Sequence, residues 1–300
     1  MERNITFCKC KIKIQSRKTI GNKMRLRTYI TGALLFVLLL SCSDKQLSTG
    51  TVKIKGSDTM LQLTELLAKE YMRLNPGISI YVAGGGSLNG VKALTRNEID
   101  ICTASRPLEP DEIKIIADKY GSLGVSYKIA KDALSVFVNP LNRVRNISMT
   151  DLKKIFTGEI TNWKEIGGED REIIPIIRST NSGTYLYFKE HVLKGAEFTD
   201  KALVRTSNEN VVDEIKKNQD CIGFGGMGFG KDVIHASIDT KRATIENAID
   251  GVYPITRYLY FYTINTPERE VKDFIEFVMS PEGQKIVERS GFIPLWSLSY

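Results

Sequence analysis

Three times in this chain an apolar run ends at glycine and hydroxyl residues, and a run with helical spacing follows at once. Residues 52–55 lead through Gly56-Ser57-Asp58-Thr59 into 59–74, and residues 78–82 lead through Gly84-Gly-Gly-Ser87 into 88–94. Residues 173–177 lead through Arg178-Ser-Thr-Asn-Ser182-Gly183-Thr184 into 185–193. Strand–turn–helix order repeated in this way predicts an α/β fold, with a largely parallel sheet covered by helices on both faces. In an open sheet of that kind such turns gather at the carboxyl ends of the strands, where ligands bind.

Each turn supplies the same chemistry. Glycine permits close backbone approach, a hydroxyl donates, and the helix behind points unpaired N–H groups and the positive end of its dipole at the turn. Arg178 adds a forked full charge and its segment holds no strong base, so the set suits a small tetrahedral oxyanion. Asp58 is the acidic residue of the three turns. Facing an anion, its carboxylate would favour one that carries a proton; its plain alternative role is to sit at the positive end of a helix. Arg106, in Thr103-Ala-Ser-Arg-Pro107 after a strand at 99–103, is expected either to face the same cleft or to be a surface residue at a strand end. The candidate ligand-binding residues are therefore Ser57, Asp58, Thr59, Ser87, Arg106, Arg178, Ser182, Gly183 and Thr184, against the alternative that the hydroxyls merely cap helices.

At 300 residues, with 42% hydrophobic and 26% charged composition, the chain exceeds one usual core and reads as two lobes. A helix at 109–120 completes the first alternation, and a strand at 133–138, closed by Asn139-Pro140, opens the second lobe. There follow a short helix at 150–156, a turn at 160–163, a helix at 209–217, a strand at 221–222 and an extended segment at 233–238. An aromatic strand at 258–264 carries the chain back, because the two helices expected within 267–290 have no other lobe to bury them. This assigns 51–132 with 259–300 to lobe 1 and 133–258 to lobe 2, with two crossings as a hinge and the cleft between the lobes as the binding site.

The net charge of +7 suggests nucleic acid, but it is misplaced: residues 1–42 hold nine Lys or Arg and one acid, leaving 33 basic and 34 acidic residues from 43 onward. A near-neutral body excludes a phosphate-backbone partner. Arg25 and Arg27 precede an apolar stretch at 31–40 too short to span a bilayer, so 24–42 reads as a signal peptide and 1–23 as an upstream extension. It ends in Leu39-Leu-Ser-Cys42, which resembles the lipobox of bacterial lipoproteins. That implies lipidation at Cys42, a membrane anchor outside the cytoplasm and a flexible tether at 43–50. Cys102 and Cys221 lie in apolar runs and read as buried free thiols. His191 and His235 have no cysteine or carboxylate cluster beside them, so no metal and no cofactor is expected.

Sharper motifs fail. Gly85 to Lys92 lacks the Gly-Lys pair of a nucleotide phosphate loop, since Val91 intervenes. Gly223-Phe-Gly-Gly-Met-Gly228 satisfies G-x-G-x-x-G, yet the extended sequence after it does not supply the helix that a dinucleotide needs. No G-x-S-x-G elbow occurs.

Taken together, Gly56-Ser-Asp-Thr-Met60, Gly85-Gly-Ser87, Ala104-Ser-Arg106, Phe156-Thr-Gly-Glu-Ile-Thr-Asn-Trp163, Arg178-x-x-x-Ser-Gly-Thr184 and Ile222-Gly-Phe-Gly-Gly-Met-Gly228 resemble the substrate-binding lipoproteins of the bacterial Pst-type phosphate ABC importer. The resemblance covers the whole mature chain. It implies a two-lobed periplasmic-binding-protein type II fold, each lobe a mixed sheet flanked by helices, with a two-strand hinge. It implies a monomer that is not an enzyme, with inorganic phosphate and the importer's membrane permease subunits as partners. Phosphate contacts carry over to Ser57, Thr59, Ser87, Arg178, Ser182, Gly183 and Thr184. Many members have an Asp that accepts the proton of hydrogen phosphate at the position where this chain has Arg106. The alternatives are a binder of sulfate or another oxyanion on the same scaffold, and a secreted phosphoester hydrolase with a Ser nucleophile.

Overall fold

In the computed structural model of the chain, residues 49–296 are described. The extension at 1–23, the signal peptide with Cys42, most of the tether and residues 297–300 lie outside the described residues.

The first lobe begins with the predicted alternation. β1 (Gly50–Gly56) pairs in parallel with β2 (Ile78–Ala83) on one side and β3 (Ile101–Ala104) on the other. α1 (Asp58–Leu74) and α2 (Ser87–Thr95) connect these strands, and α3 (Pro110–Tyr120) follows them, opened by Pro110 and a capping box between Glu109 and Glu112. β10 (Thr256–Thr263) lies antiparallel against β3, which makes the sheet mixed rather than parallel throughout.

β4 (Val125–Val138) is longer than the sequence suggests, one strand of 14 residues where only 133–138 is apolar enough to read as buried. Over 125–133 it pairs with β10, and over 134–138 it pairs with β8 (Cys221–Gly226). Its first half alternates exposed and covered side chains and owes its extension to β10 beside it, a tertiary cause that local composition does not carry.

The second lobe contains β5 (Asn146–Ile147), α4 (Met149–Thr157), a 3-10 turn at Trp163–Ile166 and β6 (Ile174–Arg178). Next come α5 (Gly183–His191), β7 (Leu203–Arg205), α6 (Asn208–Lys217), β8, β9 (Ile234–Ile238) and α7 (Ile245–Ile249). β7 and α7 were not expected; both are short, and β7 has little burial to mark it. The strand order β2-β1-β3-β10-β4-β8-β6-β7 runs through both lobes, joined at β4. α8 (Arg269–Met279) and α9 (Pro281–Arg289) return to the first lobe, where Phe274 meets Tyr71 of α1 edge-on with ring centroids 5.4 Å apart.

Each half of the sheet is buried on both faces. Phe261 and Tyr262 are sequence neighbours on β10 yet belong to different apolar clusters, as do Val136 and Phe137 on β4, because successive strand residues point to opposite faces. The Phe-x-Gly-x-Ile-x-x-Trp motif belongs to this packing. Phe156 meets Phe188 of α5 edge-on, Phe188 stacks on Phe224 with centroids 3.8 Å apart, and Trp163 Nε1 donates to Asp220 O at 3.1 Å. The motif thus fixes the back of α5, whose front end carries Ser182-Gly183-Thr184. Of the glycine-rich stretch at 223–228, residues 223–226 lie in β8 as fully buried strand and 227–228 form the turn after it, which disposes of the dinucleotide reading. Cys102 and Cys221 are buried and free, and burial pushes both thiols up, Cys221 to about 12.

Candidate functional site

The three turns singled out from the sequence meet where β1, β2 and β6 end. Thr59 Oγ1 and Thr184 Oγ1 lie 3.0 Å apart, although 125 positions separate them in the chain. Asp58 Oδ1 accepts from the amide of Gly85 at 2.7 Å. Gly183 is so close to the second turn that a Cβ on it would lie 2.4 Å from Ser87 Oγ and 2.6 Å from Ser105 Oγ, so a side chain there would have to displace both serines. Asn181 closes the outer edge, donating through Nδ2 to Gly85 O at 2.7 Å and accepting from the amide of Leu88 at 3.2 Å.

The hydroxyls are held in different ways. Ser182 caps α5, its Oγ accepting from the amide of Thr184 at 3.1 Å. Ser57 makes no side-chain cap bond to α1, so its hydroxyl remains available. Ser87 Oγ accepts from the amide of Ser105 at 3.2 Å. The first turns of α1, α2 and α5 all start at this cluster, and of their amides those of Met60, Leu88 and Thr184 are taken by Ser57 O, Asn181 O and Ser182 Oγ.

Arg178 ends β6 with 1% of its surface exposed. Its Nη1 donates to Asn208 Oδ1 at 2.9 Å, and its Nη2 donates to Thr206 O at 2.7 Å and lies 3.4 Å from Asp58 Oδ2. Its Nε is buried without a partner among the described residues, a state it shares with Arg106 Nε. Burial lowers its pKa to about 10, with Asp58 opposing and Arg257 adding to that shift, and it remains cationic at neutral pH.

Of the nine residues expected from the sequence, the structure gathers eight and places the guanidinium of Arg106 elsewhere. Arg106 is buried, but its Nη1 and Nη2 donate to Glu112 at 2.8 and 2.6 Å, and Nη1 also donates to Pro107 O at 2.7 Å. A carboxylate one helical turn into α3 lies within reach of the fork, and a buried cation takes the nearest bidentate partner. The same strand end contributes Ser105 to the cluster instead.

Two further groups escaped the sequence reading. Asn208, at the start of α6, donates through Nδ2 to Thr59 Oγ1 at 3.3 Å. Gly225 of β8 makes room for it, since a Cβ there would lie 2.9 Å from Asn208 Oδ1. Arg257 of β10 donates through Nη1 to Thr184 Oγ1 at 3.0 Å and to Ser105 O at 3.3 Å, and is paired with Asp132 at 2.9 Å. A clue to both was present, a Ser-Asn pair opening a helix and an Arg inside an aromatic strand, but neither is specific. Among the described residues no group of His, Cys, Asp and Glu could hold a metal ion. The cluster is lined by oriented donors and suits a compact oxyanion.

A family model described as the PBP superfamily domain matches residues 43–282. The phosphate-binding protein PstS of Bacillus subtilis is 31% identical over 85% of this chain and 84% of its own length. The protein of the same name from Borreliella burgdorferi is 30% identical over 85% of this chain and 94% of its own. A crystal structure from Clostridium perfringens, assigned as a phosphate ABC transporter substrate-binding protein and holding bound phosphate, superposes with a TM-score of 0.77. It is 29% identical over 82% of this chain and 100% of that one.

The Arg106–Glu112 pair yields a stability prediction. Arg106→Ala leaves Glu112 largely buried and without its fork, which costs roughly 3–5 kcal/mol. Urea unfolding of the variant should show a correspondingly lower midpoint; an unchanged midpoint would mean that the pair is not formed.

Proposed function

This chain belongs to the PBP superfamily and, within it, to the PstS type of phosphate-binding protein; from that premise we propose that it captures inorganic phosphate outside the cytoplasm and delivers it to the membrane subunits of an ABC importer. The observation that carries the reading to this site is Arg178, a buried cation standing amid hydroxyls and helix starts from both lobes, with an Nε that has no partner among the described residues. In this reading Ser57, Thr59, Ser87, Arg178, Ser182, Gly183 and Thr184 contact the anion, and the lobes given above as 51–132 with 259–300 and 133–258 close over it about β4 and β10. The bonds from Asn181 to Gly85 and Leu88 fit such a closed form.

Capture rather than turnover is favoured by the histidines. His235 Nδ1 faces Ser135 Oγ at 3.0 Å in the interior of lobe 2, and His191 stacks on Tyr187, so the hydrogen bonds and ring contacts found for them involve none of the three candidate serines. Titration calorimetry of the chain should give one phosphate per monomer, with no product from a chromogenic phosphate ester. Small-angle scattering should report a monomer mass and a smaller radius of gyration with phosphate, and an unchanged radius at saturation would count against closure. Arg178→Ala should weaken binding by on the order of 10- to 100-fold, because charge-assisted hydrogen bonds contribute roughly 1.5–3 kcal/mol each, and Arg178→Lys should recover only part. Unaltered affinity in Arg178→Ala would move the site elsewhere.

Asp58 is proposed to read the proton of hydrogen phosphate. Gly85 N–H occupies one lone pair of Oδ1 and Arg178 approaches Oδ2, so each oxygen keeps another lone pair for a protonated anion. Sulfate has no proton and would meet this carboxylate as a like charge. Asp58→Asn should therefore gain sulfate and lower the phosphate-to-sulfate affinity ratio by roughly tenfold, the order expected for one hydrogen bond to a charged group. Competition titration checks this, and a parental ratio in the variant would assign proton recognition to another group.

Cys42 is proposed as the lipid anchor. Cells expressing the chain and fed an alkyne fatty acid should label it in the membrane fraction, and Cys42→Ser should abolish the label. A labelled, membrane-bound Cys42→Ser would locate the anchor elsewhere.

A further inference from the structure

Asp132 on β4 and Arg257 on β10 stand directly opposite one another in the antiparallel register, at the point where β4 leaves one sheet for the other. Their side chains are 0% and 1% exposed, and Arg257 Nε and Nη2 both donate to Asp132 Oδ2, at 3.0 and 2.9 Å. A buried pair at a strand crossing is often purely structural. This one has a free end: Arg257 Nη1 reaches Ser105 O, at the end of β3 in the first lobe, and Thr184 Oγ1, at the start of α5 in the second. The guanidinium is braced from below by the Tyr187 ring, 5.9 Å away, and Tyr187 in turn donates to Thr256 O beside Arg257.

Donor bookkeeping gives this contact a direction. Arginine has donors and no acceptor, so Thr184 Oγ1 must accept from Arg257, and its own proton turns away from the guanidinium. At the other end, Arg178 occupies Asn208 Oδ1, which commits Asn208 Nδ2 to donate to Thr59 Oγ1. Each hydroxyl of the Thr59–Thr184 pair thereby accepts one bond, the two from opposite sides, and its proton is left for the other hydroxyl or for an anion.

We propose that Arg257, held by Asp132, is a positioning residue of the anion site that sets the Thr184 hydroxyl as a donor to bound phosphate and ties that donor to both crossing strands. The proposal rests on the reading of this cluster as the phosphate site. Burial pushes the Asp132 carboxyl up while Arg257 and the amides of Met227 and Ala133 pull it back, so the pair depends on its partner for its charge.

The test is a double-mutant cycle on the whole chain, titrated calorimetrically with inorganic phosphate: the parent, Arg257→Lys, Thr184→Val and the double variant, with circular dichroism on each. Lysine keeps the charge but loses the fork that spans Asp132 and Thr184. Arg257→Lys should weaken phosphate roughly tenfold in the parent background and less than about threefold when Thr184 is already Val, since residues acting through one contact are not additive. Asp132→Asn, nearly isosteric, provides the same comparison should the lysine variant not fold, with loss again confined to chains that retain Thr184. Equal losses in both backgrounds would make the pair merely structural and overturn the proposal, as would no loss at all. A parent that gives no phosphate signal would overturn the phosphate reading itself, a result distinct from a parent that binds and variants that bind as well.

Discussion

Charge burial governs this structure. Arg178 and Arg257 are withdrawn almost wholly from water within one small cluster, and a lone buried cation costs several kcal/mol. Each is offset by a carboxylate from a different segment, Asp58 for Arg178 and Asp132 for Arg257. The four charges cancel, so the cluster does not need a permanent counter-ion to remain folded. In the proposed reading, what it offers a ligand is a set of donors: hydroxyls, the helix starts and the Nε of Arg178, which has no partner among the described residues. Preorganised dipoles of this kind hold an anion in a low-dielectric site without leaving a large stranded charge when it departs.

The position of the cluster follows from the strands that join the lobes. Because β4 is shared by both sheets, the connection is a paired strand rather than a loose linker, and β10 lies against it. Arg257 projects from that pairing toward Ser105 on one side and Thr184 on the other. A rotation about the crossing would alter the spacing of Ser105 and Thr184 while leaving the Asp132–Arg257 pair intact, since both partners sit on the crossing itself. In the proposed reading, one side chain thus touches both the anion site and the lobe crossing.

How much of this was legible depends on whether its cause was local. The strand–helix alternation, and with it the α/β class, is written in hydrophobic periodicity, and the three glycine–hydroxyl turns announce themselves by composition. Asn208 and Arg257 do not: each lies in an ordinary-looking segment and acquires its role from neighbours more than 70 positions away. The first half of β4 was missed for the same reason, since its half-exposed residues become a strand only beside β10. Arg106 shows the converse failure. Its position at a strand end pointed to the cleft, but Glu112 six residues on takes the fork, a pairing that sequence spacing across a turn and a helix start does not prescribe.

That pairing has a consequence for selectivity. Where the resemblance leads one to expect a carboxylate after the third strand, this chain has a cation whose charge is cancelled within its own lobe by Glu112. Arg106 is therefore paired at that corner, where the half-exposed Glu109 stands 3.8 Å away as a second carboxylate. Of the carboxylates that contact the cluster, Asp132 is fully enclosed and accepts from Arg257 and the amide of Met227. Asp58 keeps 20% of its side chain accessible and lone pairs to spare. If a proton on the ligand is recognised here by a carboxylate, the geometry moves that task from the third turn of the first lobe to the first. There the same residue that tempers Arg178 would also judge the anion, so affinity and selectivity would change together when it is altered.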